Sequence, residues 1–249
     1  MMVIFLENEE FSKLDGKKLI NIEEELMHYL KNVLRIREGE KLIICDKNNT
    51  PNNYQYCYCK FNKFEKNKIE VTILEKREEK KNFPLIDIFI VPLKSRYFED
   101  SIEHICQLPI NSIFLIKSKF ISTDFKKTIE KIDRLRKISY WNSIYIRKPF
   151  ITKIDFFDIR LSELFNTIDY DRFIVFDPRT DQEINCGLDL KGKKICLMIG
   201  PEGGWSKEEI EFFQKQKNTL ILKFKNIDFG IKAEIAPIVA ISQILLISP

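Results

Sequence analysis

Hydrophobic positions along the chain follow two rhythms. Up to about Glu75 they come in short runs: Val3 to Leu6, Leu42 to Cys45, Tyr54 to Phe61 and Ile69 to Leu74. Within these runs Tyr54, Tyr56 and Tyr58 alternate with Gln55, Cys57 and Cys59, and Ile69, Val71 and Ile73 alternate with polar neighbours. A period of two is the mark of strands with one buried face. Asn- and Lys-rich stretches, Lys47 to Pro51 and Asn67-Lys68, read as the turns between them. One helix is predicted to interrupt, from Ile22 to about Val33. Residues 1–75 therefore read as a small β-barrel. The run Lys76 to Asn82 has no apolar residue and precedes Pro84, so 76–83 reads as an interdomain linker.

Beyond the linker the rhythm changes. Leu85 to Val91 is a nearly continuous apolar run, as in a strand buried on both faces. Phe98, Ile102 and Ile105 then recur at helical spacing. Ile113 to Ile116 reads as a strand, and Phe125, Ile129, Ile132 and Leu135 mark a helix. A shorter helix near Phe156 to Ile168 precedes strand Phe173 to Phe176. Strand Ile195 to Ile199, helix Lys207 to Gln216, strand Leu220 to Phe224 and helix Ile235 to Ile247 complete the chain. Alternation of this kind predicts a mainly parallel α/β sheet over 84–249, covered on both faces. Such sheets bind ligands at the carboxyl ends of their strands.

Composition narrows the classes. Hydrophobic residues make up 44% and charged residues 31%, which is globular rather than disordered. The formal charge is only +4, from 41 basic and 37 acidic side chains, so its distribution matters more than its sum. Between Lys117 and Lys137 eight basic residues stand against three acidic ones, a local excess of five. That run, with Lys126, Lys127 and Arg134, suits either phosphates or a solvated helix face. Glu7, Glu9 and Glu10 break any apolar stretch too early for a signal peptide, and no apolar run approaches the roughly 20 residues of a membrane span. The six cysteines, Cys45, Cys57, Cys59, Cys106, Cys186 and Cys196, are scattered through strand-like segments and read as reduced core residues of a cytoplasmic protein. Cys57 and Cys59 have half of a metal spacing, but no second pair completes it, and no metal is expected. His28 and His104 are the only histidines, which leaves no Ser/His/Asp set to argue.

The segment Ile195 to Ile210 carries the chemistry. A buried strand runs into Gly200-Pro201-Glu202-Gly203-Gly204-Trp205 and straight into a helix, whose Ser206 and Glu209 have capping-box spacing. Three of the chain's eight glycines fall in the five positions Gly200 to Gly204. Glycine there lets a ligand approach the backbone, and a β-branched side chain at Gly203 is expected to block that approach and any positive φ. Neither phosphate-loop nor dinucleotide-fold spacing is present.

Gly200 to Trp205 followed by Ser206-Lys207-Glu208-Glu209 resembles the signature of the RsmE family of SPOUT-class methyltransferases. His28 to Ile36 with Gly39, Pro92-Leu93-Lys94, and Ile231 to Ala236 are similar to three further stretches of that family, so the likeness spans nearly the whole chain. It implies an N-terminal PUA-like β-barrel and a C-terminal SPOUT domain with a trefoil knot. It also implies a homodimer and transfer of a methyl group from S-adenosylmethionine to N3 of a uridine in small-subunit ribosomal RNA. The cofactor is expected against Ile199, Gly200, Glu202, Gly203 and Gly204 on one side and Leu222, Phe224, Ile227 and Ile231 on the other. Departures cluster elsewhere. Where the family's C-terminal stretch reads roughly L-G-x-R-I-L-R-x-E-T-A, this chain has Phe229 and Lys232 for the arginines and Ile235 for the threonine.

Lys232 is the candidate cation for the charge that develops as uracil N3 loses its proton, or else a surface lysine before a helix. Glu234 is a second catalytic candidate, with a structural reading beside it: a carboxylate at the start of the helix that Pro237 introduces. Arg35 suits an RNA phosphate contact or an exposed helix end. Two other functions fit the same residues: an RNA-binding protein of this fold without methylation, and a methyltransferase of this fold acting on transfer RNA.

Overall fold

The structure is a computed structural model that describes residues 2–94, 97–185, 187–227 and 229–248; Cys186 lies outside them. The chain divides into two compact units, 1–81 with 143–151 and 82–142 with 152–249.

The first unit is built on strands β1 (Met2–Leu6), β2 (Lys17–Asn21), β3 (Lys41–Asp46), β4 (Asn53–Glu65) and β5 (Lys68–Lys80). They form one five-stranded sheet in the order β1-β3-β4-β5-β2, antiparallel except for the β1–β3 pair. Register shifts at Tyr58/Cys59 and Phe61/Lys63 increase the twist of the long β4–β5 hairpin. Helices α1 (Asn8–Ser12) and α2 (Glu24–His28) are short, and α2 runs on into a π-helical turn over Tyr29–Val33. The single helix expected over 22–33 is thus an α turn and a π turn in series, ended by Arg35 at φ 52°.

The charged run expected to be a linker is the second half of β5. Arg77 pairs with Tyr56 and Glu79 with Tyr54 across the ladder. Both tyrosine hydroxyls donate to Glu79, at 2.7 and 2.9 Å, and the Arg77 guanidinium lies 5.0 Å from the Tyr58 ring. Side chains of β4 thus give a charged strand partners that its own pattern does not advertise. Segment 143–151 also belongs to this unit: Asn49 donates to the carbonyls of Gln55 and Pro149, each at 2.8 Å.

The second unit holds β6 (Leu85–Ile90), β7 (Ser112–Leu115), β8 (Lys153–Phe156), β9 (Arg172–Phe176), β10 (Lys194–Ile199) and β11 (Thr219–Leu222). All neighbours pair in parallel, in the order β11-β9-β10-β6-β7-β8. Alternate residues feed two cores. Ile86, Ile88, Ile90, Leu197 and Ile199 face α3 (Tyr97–Ile105), α5 (Ile132–Tyr145) and α8 (Ala236–Ile247). Phe89, Phe173, Val175 and Met198 face α6 (Leu161–Thr167) and α7 (Lys207–Gln214). Burial on both faces is why these strands lack polar alternation.

Buried Asp87 is the exception on β6. It accepts from Tyr170 Oη and Asn111 Nδ2, both at 2.7 Å, so each of its oxygens has a donor.

The basic run over 117–137 is not one helix. It divides into a loop, α4 (Phe125–Ile129) and the start of α5; Asp124 sets where α4 begins by accepting from the amides of Lys126 and Lys127. Among the described residues, basic side chains of this run face acidic partners: Lys117 with Asp158, Lys119 with Glu208, Arg134 with Glu99, and Arg136 with Asp133 and Asp155.

Candidate functional site

Three strands end side by side at one place. Phe176 closes β9, Ile199 closes β10 and Leu222 closes β11, and the chain leaves all three at the same edge of the sheet. Each exit is a turn or loop, so a hollow forms above the strand ends. It is a cavity of about 340 Å³, within the size of small-molecule sites. Its apolar wall includes Phe176 and Phe224, stacked at 4.6 Å between ring centroids, with Ile199, Leu222, Ile227 and Ile231. The opposite wall is the backbone from Gly200 to Gly204.

That turn is held rigidly from behind. The Trp205 indole is fully buried, donates from Nε1 to the Phe176 carbonyl at 3.2 Å and meets Phe213 edge-on at 5.0 Å. The amide of Gly204 donates to the Pro201 carbonyl at 2.8 Å. Ser206 caps α7 while Glu209 returns the bond: Oε2 accepts from the Ser206 amide at 2.7 Å. Glu209 also ties down a neighbouring loop, since Oε1 accepts from the Lys119 amide at 2.8 Å. The backbone amide of Glu208, the Ser206 side chain and Lys119 hold the Glu208 carboxyl down to about 2.

All nine residues expected at the cofactor line this one cavity. The glycines divide their tasks differently from the expectation. Positive φ falls on Gly204, at 71°, and Gly203 has ordinary backbone. A Cβ on Gly203 would make only a 3.6 Å contact with Phe120, whereas one on Gly200 would come within 3.0 Å of the Trp205 ring. Glu202 is exposed and accepts from Ser122 Oγ at 3.5 Å.

Lys232 and Glu234 flank the cavity without lining it. Lys232 is 80% exposed and its Nζ lies 3.9 Å from Glu234 Oε1. The Glu234 carbonyl accepts from Ser101 Oγ at 2.8 Å, which pins the loop just before α8. Lys126 and Lys127 are exposed on α4, and Arg134 on α5 is paired with Glu99 at 2.7 Å. Arg35 is exposed in the first unit, at the end of the π turn.

The RNA methyltransferase domain family matches residues 79–245, and the PUA domain family of RNA methyltransferases matches 22–51. A ribosomal RNA small subunit methyltransferase E of Buchnera aphidicola is 30% identical over 201 residues, covering 78% of each chain. The chain belongs to the small subunit methyltransferase E family of RNA methyltransferases. A second relative bearing that family name, from Borreliella burgdorferi, is 29% identical over 217 residues and 85% of each chain. The fold is that of the same-named enzyme of Neisseria gonorrhoeae solved with S-adenosyl methionine, at a TM-score of 0.78, 16% identity and coverage of 97% and 95%. The N-terminal unit is PUA-like and the C-terminal one a parallel SPOUT domain.

Sequence reasoning missed one element of this cavity's surroundings. Asp177, almost fully buried just past β9, takes Arg179 Nε at 2.9 Å, and Arg179 Nη2 also donates to the Trp205 carbonyl at 2.7 Å. Burial pushes the Asp177 carboxyl up, but the hydrogen bonds and charge of Arg179 outweigh it and leave it below the usual range. The pair locks the third strand exit to the glycine turn. Asp177-Pro178-Arg179 carries no spacing signal; only the strand order brings it beside Trp205. Among the described residues no three His, Cys, Asp or Glu side chains gather as a metal site, and no helix is long and apolar enough to cross a membrane.

Proposed function

We propose that this chain transfers a methyl group from S-adenosylmethionine to N3 of a uridine in small-subunit ribosomal RNA, in the cytoplasm and as a homodimer. The observation that carries the reading is the cavity at the ends of β9, β10 and β11, in a chain of this family. Its residues fit the cofactor. The apolar wall of Phe176, Phe224, Ile199, Leu222, Ile227 and Ile231 suits a flat adenine, and a glycine turn whose Gly203 adds no side chain lets the ligand lie on backbone. Bound there, the cofactor supplies a methyl group activated by a sulfonium.

The protein's own part is chiefly positioning, in a hollow recessed above the strand ends. Uracil N3 keeps its proton at neutral pH, so a cation that stabilises the emerging negative charge favours transfer. Lys232, exposed beside the cavity and only loosely held by Glu234, is the group we assign to it. Arg35, Lys126 and Lys127, all exposed, are assigned to phosphate contacts.

For the dimer the support is α8. Ile235, Val239 and Leu246 lie along one stripe at helical spacing, interrupted only by the small Ser242, and Leu246 is 80% exposed. For the trefoil knot it is the strand order, in which β11 crosses beyond β10 to pair with β9. The test is calorimetric titration with S-adenosylmethionine, followed by transfer to undermodified small-subunit ribosomal RNA and identification of the product nucleoside. N3-methyluridine is expected. Cofactor binding with transfer only to transfer RNA would favour the second enzymatic reading, and RNA binding without cofactor the non-catalytic one.

A further inference from the structure

Phe229 is 74% exposed, yet it lines the cavity, on the loop between β11 and α8. The ring is offered from a pinned segment. Gln243 of α8 clasps Lys225, accepting from its amide at 3.0 Å and donating to its carbonyl at 3.1 Å, and Asn226 turns the chain at φ 59°. At the far end Ser101 holds the Glu234 carbonyl. Nothing beyond its chain neighbours lies within 4 Å of where a Cβ on Gly230 would stand, so the chain next to Phe229 is open. Exposed Lys225 and Lys232 share this short loop.

We propose that Phe229 is the platform on which the target nucleobase of the RNA stacks at the mouth of the cavity. The inference rests on the RNA methyltransferase reading above. Cations for phosphate and an aromatic face for the base, on one short element, are what grips single-stranded nucleic acid. A base that must offer a ring nitrogen to a recessed site leaves its own helical stack, and a protein ring on the path replaces that lost contact. The cavity's interior already has its aromatic wall in Phe176 and Phe224, and Phe229 stands at its rim, mostly in water. It is a substrate-positioning residue that touches the base.

The experiment compares the full-length parent with Phe229→Ala and Phe229→Trp in three measurements. These are cofactor affinity by calorimetry, kcat and KM for methyl transfer to undermodified small-subunit RNA, and indole emission on adding a short oligouridine. Phe229→Ala should lower kcat/KM for RNA roughly 10- to 100-fold, the worth of one stacked base. Its cofactor affinity should stay within about twofold. Phe229→Trp should restore most of the loss, and its emission should be quenched by the oligonucleotide where the parent's is not. An active parent matched by Phe229→Ala overturns the proposal, as does an equal loss of cofactor affinity. If the parent transfers no methyl to RNA, the methyltransferase reading fails, and quenching decides the stacking: a Phe229→Trp protein unquenched by oligouridine overturns it, and a quenched one upholds it.

Discussion

Replacing Gly200 by alanine should harm the protein more than the same change at Gly203, although both lie in one five-residue turn. A Cβ on Gly200 would sit 3.0, 3.1 and 3.3 Å from Cε2, Nε1 and Cδ2 of Trp205. The indole has nowhere to go: it is 1% exposed, bonded to the Phe176 carbonyl and packed on Phe213. Overpacking of this kind costs about 1–3 kcal/mol, and disturbing the indole hydrogen bond adds about 1 kcal/mol. For a domain of this size the total of about 2–4 kcal/mol corresponds to a fall in Tm of roughly 4–16 °C. At Gly203 the new methyl would meet only Phe120 at 3.6 Å, so Tm should stay within about 2 °C. Gly203 lines the cavity proposed for the cofactor, so Gly203→Val should bind S-adenosylmethionine far more weakly while remaining folded. Differential scanning calorimetry and cofactor titration on the parent and the three variants give the answer. Equal Tm values for the Gly200→Ala and parent proteins would refute the account of Trp205 as a fixed backstop.

Asp177→Asn should cost about 2 kcal/mol at neutral pH, the worth of a hydrogen bond to a charged group. Because the folded protein holds this carboxyl below its unfolded range, the stability it contributes is present above about pH 4 and is lost as pH falls further, so the two melting curves should converge in acid. Glu209→Ala removes a capping bond and the anchor of the Lys119 amide together, and should lower Tm more than Ser206→Ala, which removes the cap alone. Cys45, Cys57, Cys59, Cys106 and Cys196 are buried, and burial raises the thiols of Cys57 to about 11 and Cys59 to about 12. Mass spectrometry after alkylation should find these five modified only in denaturant. Lys232→Ala should lower methyl-transfer turnover roughly 100-fold with RNA and cofactor affinity nearly unchanged, and Lys232→Arg should retain most of the rate.

Long apolar runs made most of the second unit legible, because strands buried on both faces and a capped helix write themselves plainly in residue type. Ser206 and Glu209 located the start of α7 to the residue. The strands that pattern reasoning missed, β2 and β8, are both edge strands. Half of an edge strand faces water, and Lys17-Lys18-Leu19-Ile20-Asn21 has too few apolar positions to register. The charged end of β5 was illegible for a related reason: its partners are tyrosine hydroxyls on another strand. At the site, the glycine turn and the loop after β11 were readable from one stretch of chain each. Asp177 and Arg179 were not, because their importance comes from a contact with Trp205, 26 residues on from Arg179. The late start of the helix within the basic run turned on the Asp124 cap, which a charge count does not see. A deletion ending at residue 75 would cut β5 in half and leave 143–151 without its unit, so RNA contacts are better tested with Arg35→Ala and Lys126→Ala. Each should reduce the slope of log affinity against log salt by about 1.

The central claim is that this chain methylates one uridine of small-subunit ribosomal RNA. Nucleoside mass spectrometry of that RNA, from cells with and without the protein, tests it most directly. The account predicts that one N3-methyluridine disappears without the protein and returns when the protein, but not its Lys232→Ala variant, is supplied again. An unchanged methylation profile in cells that lack the protein would contradict it.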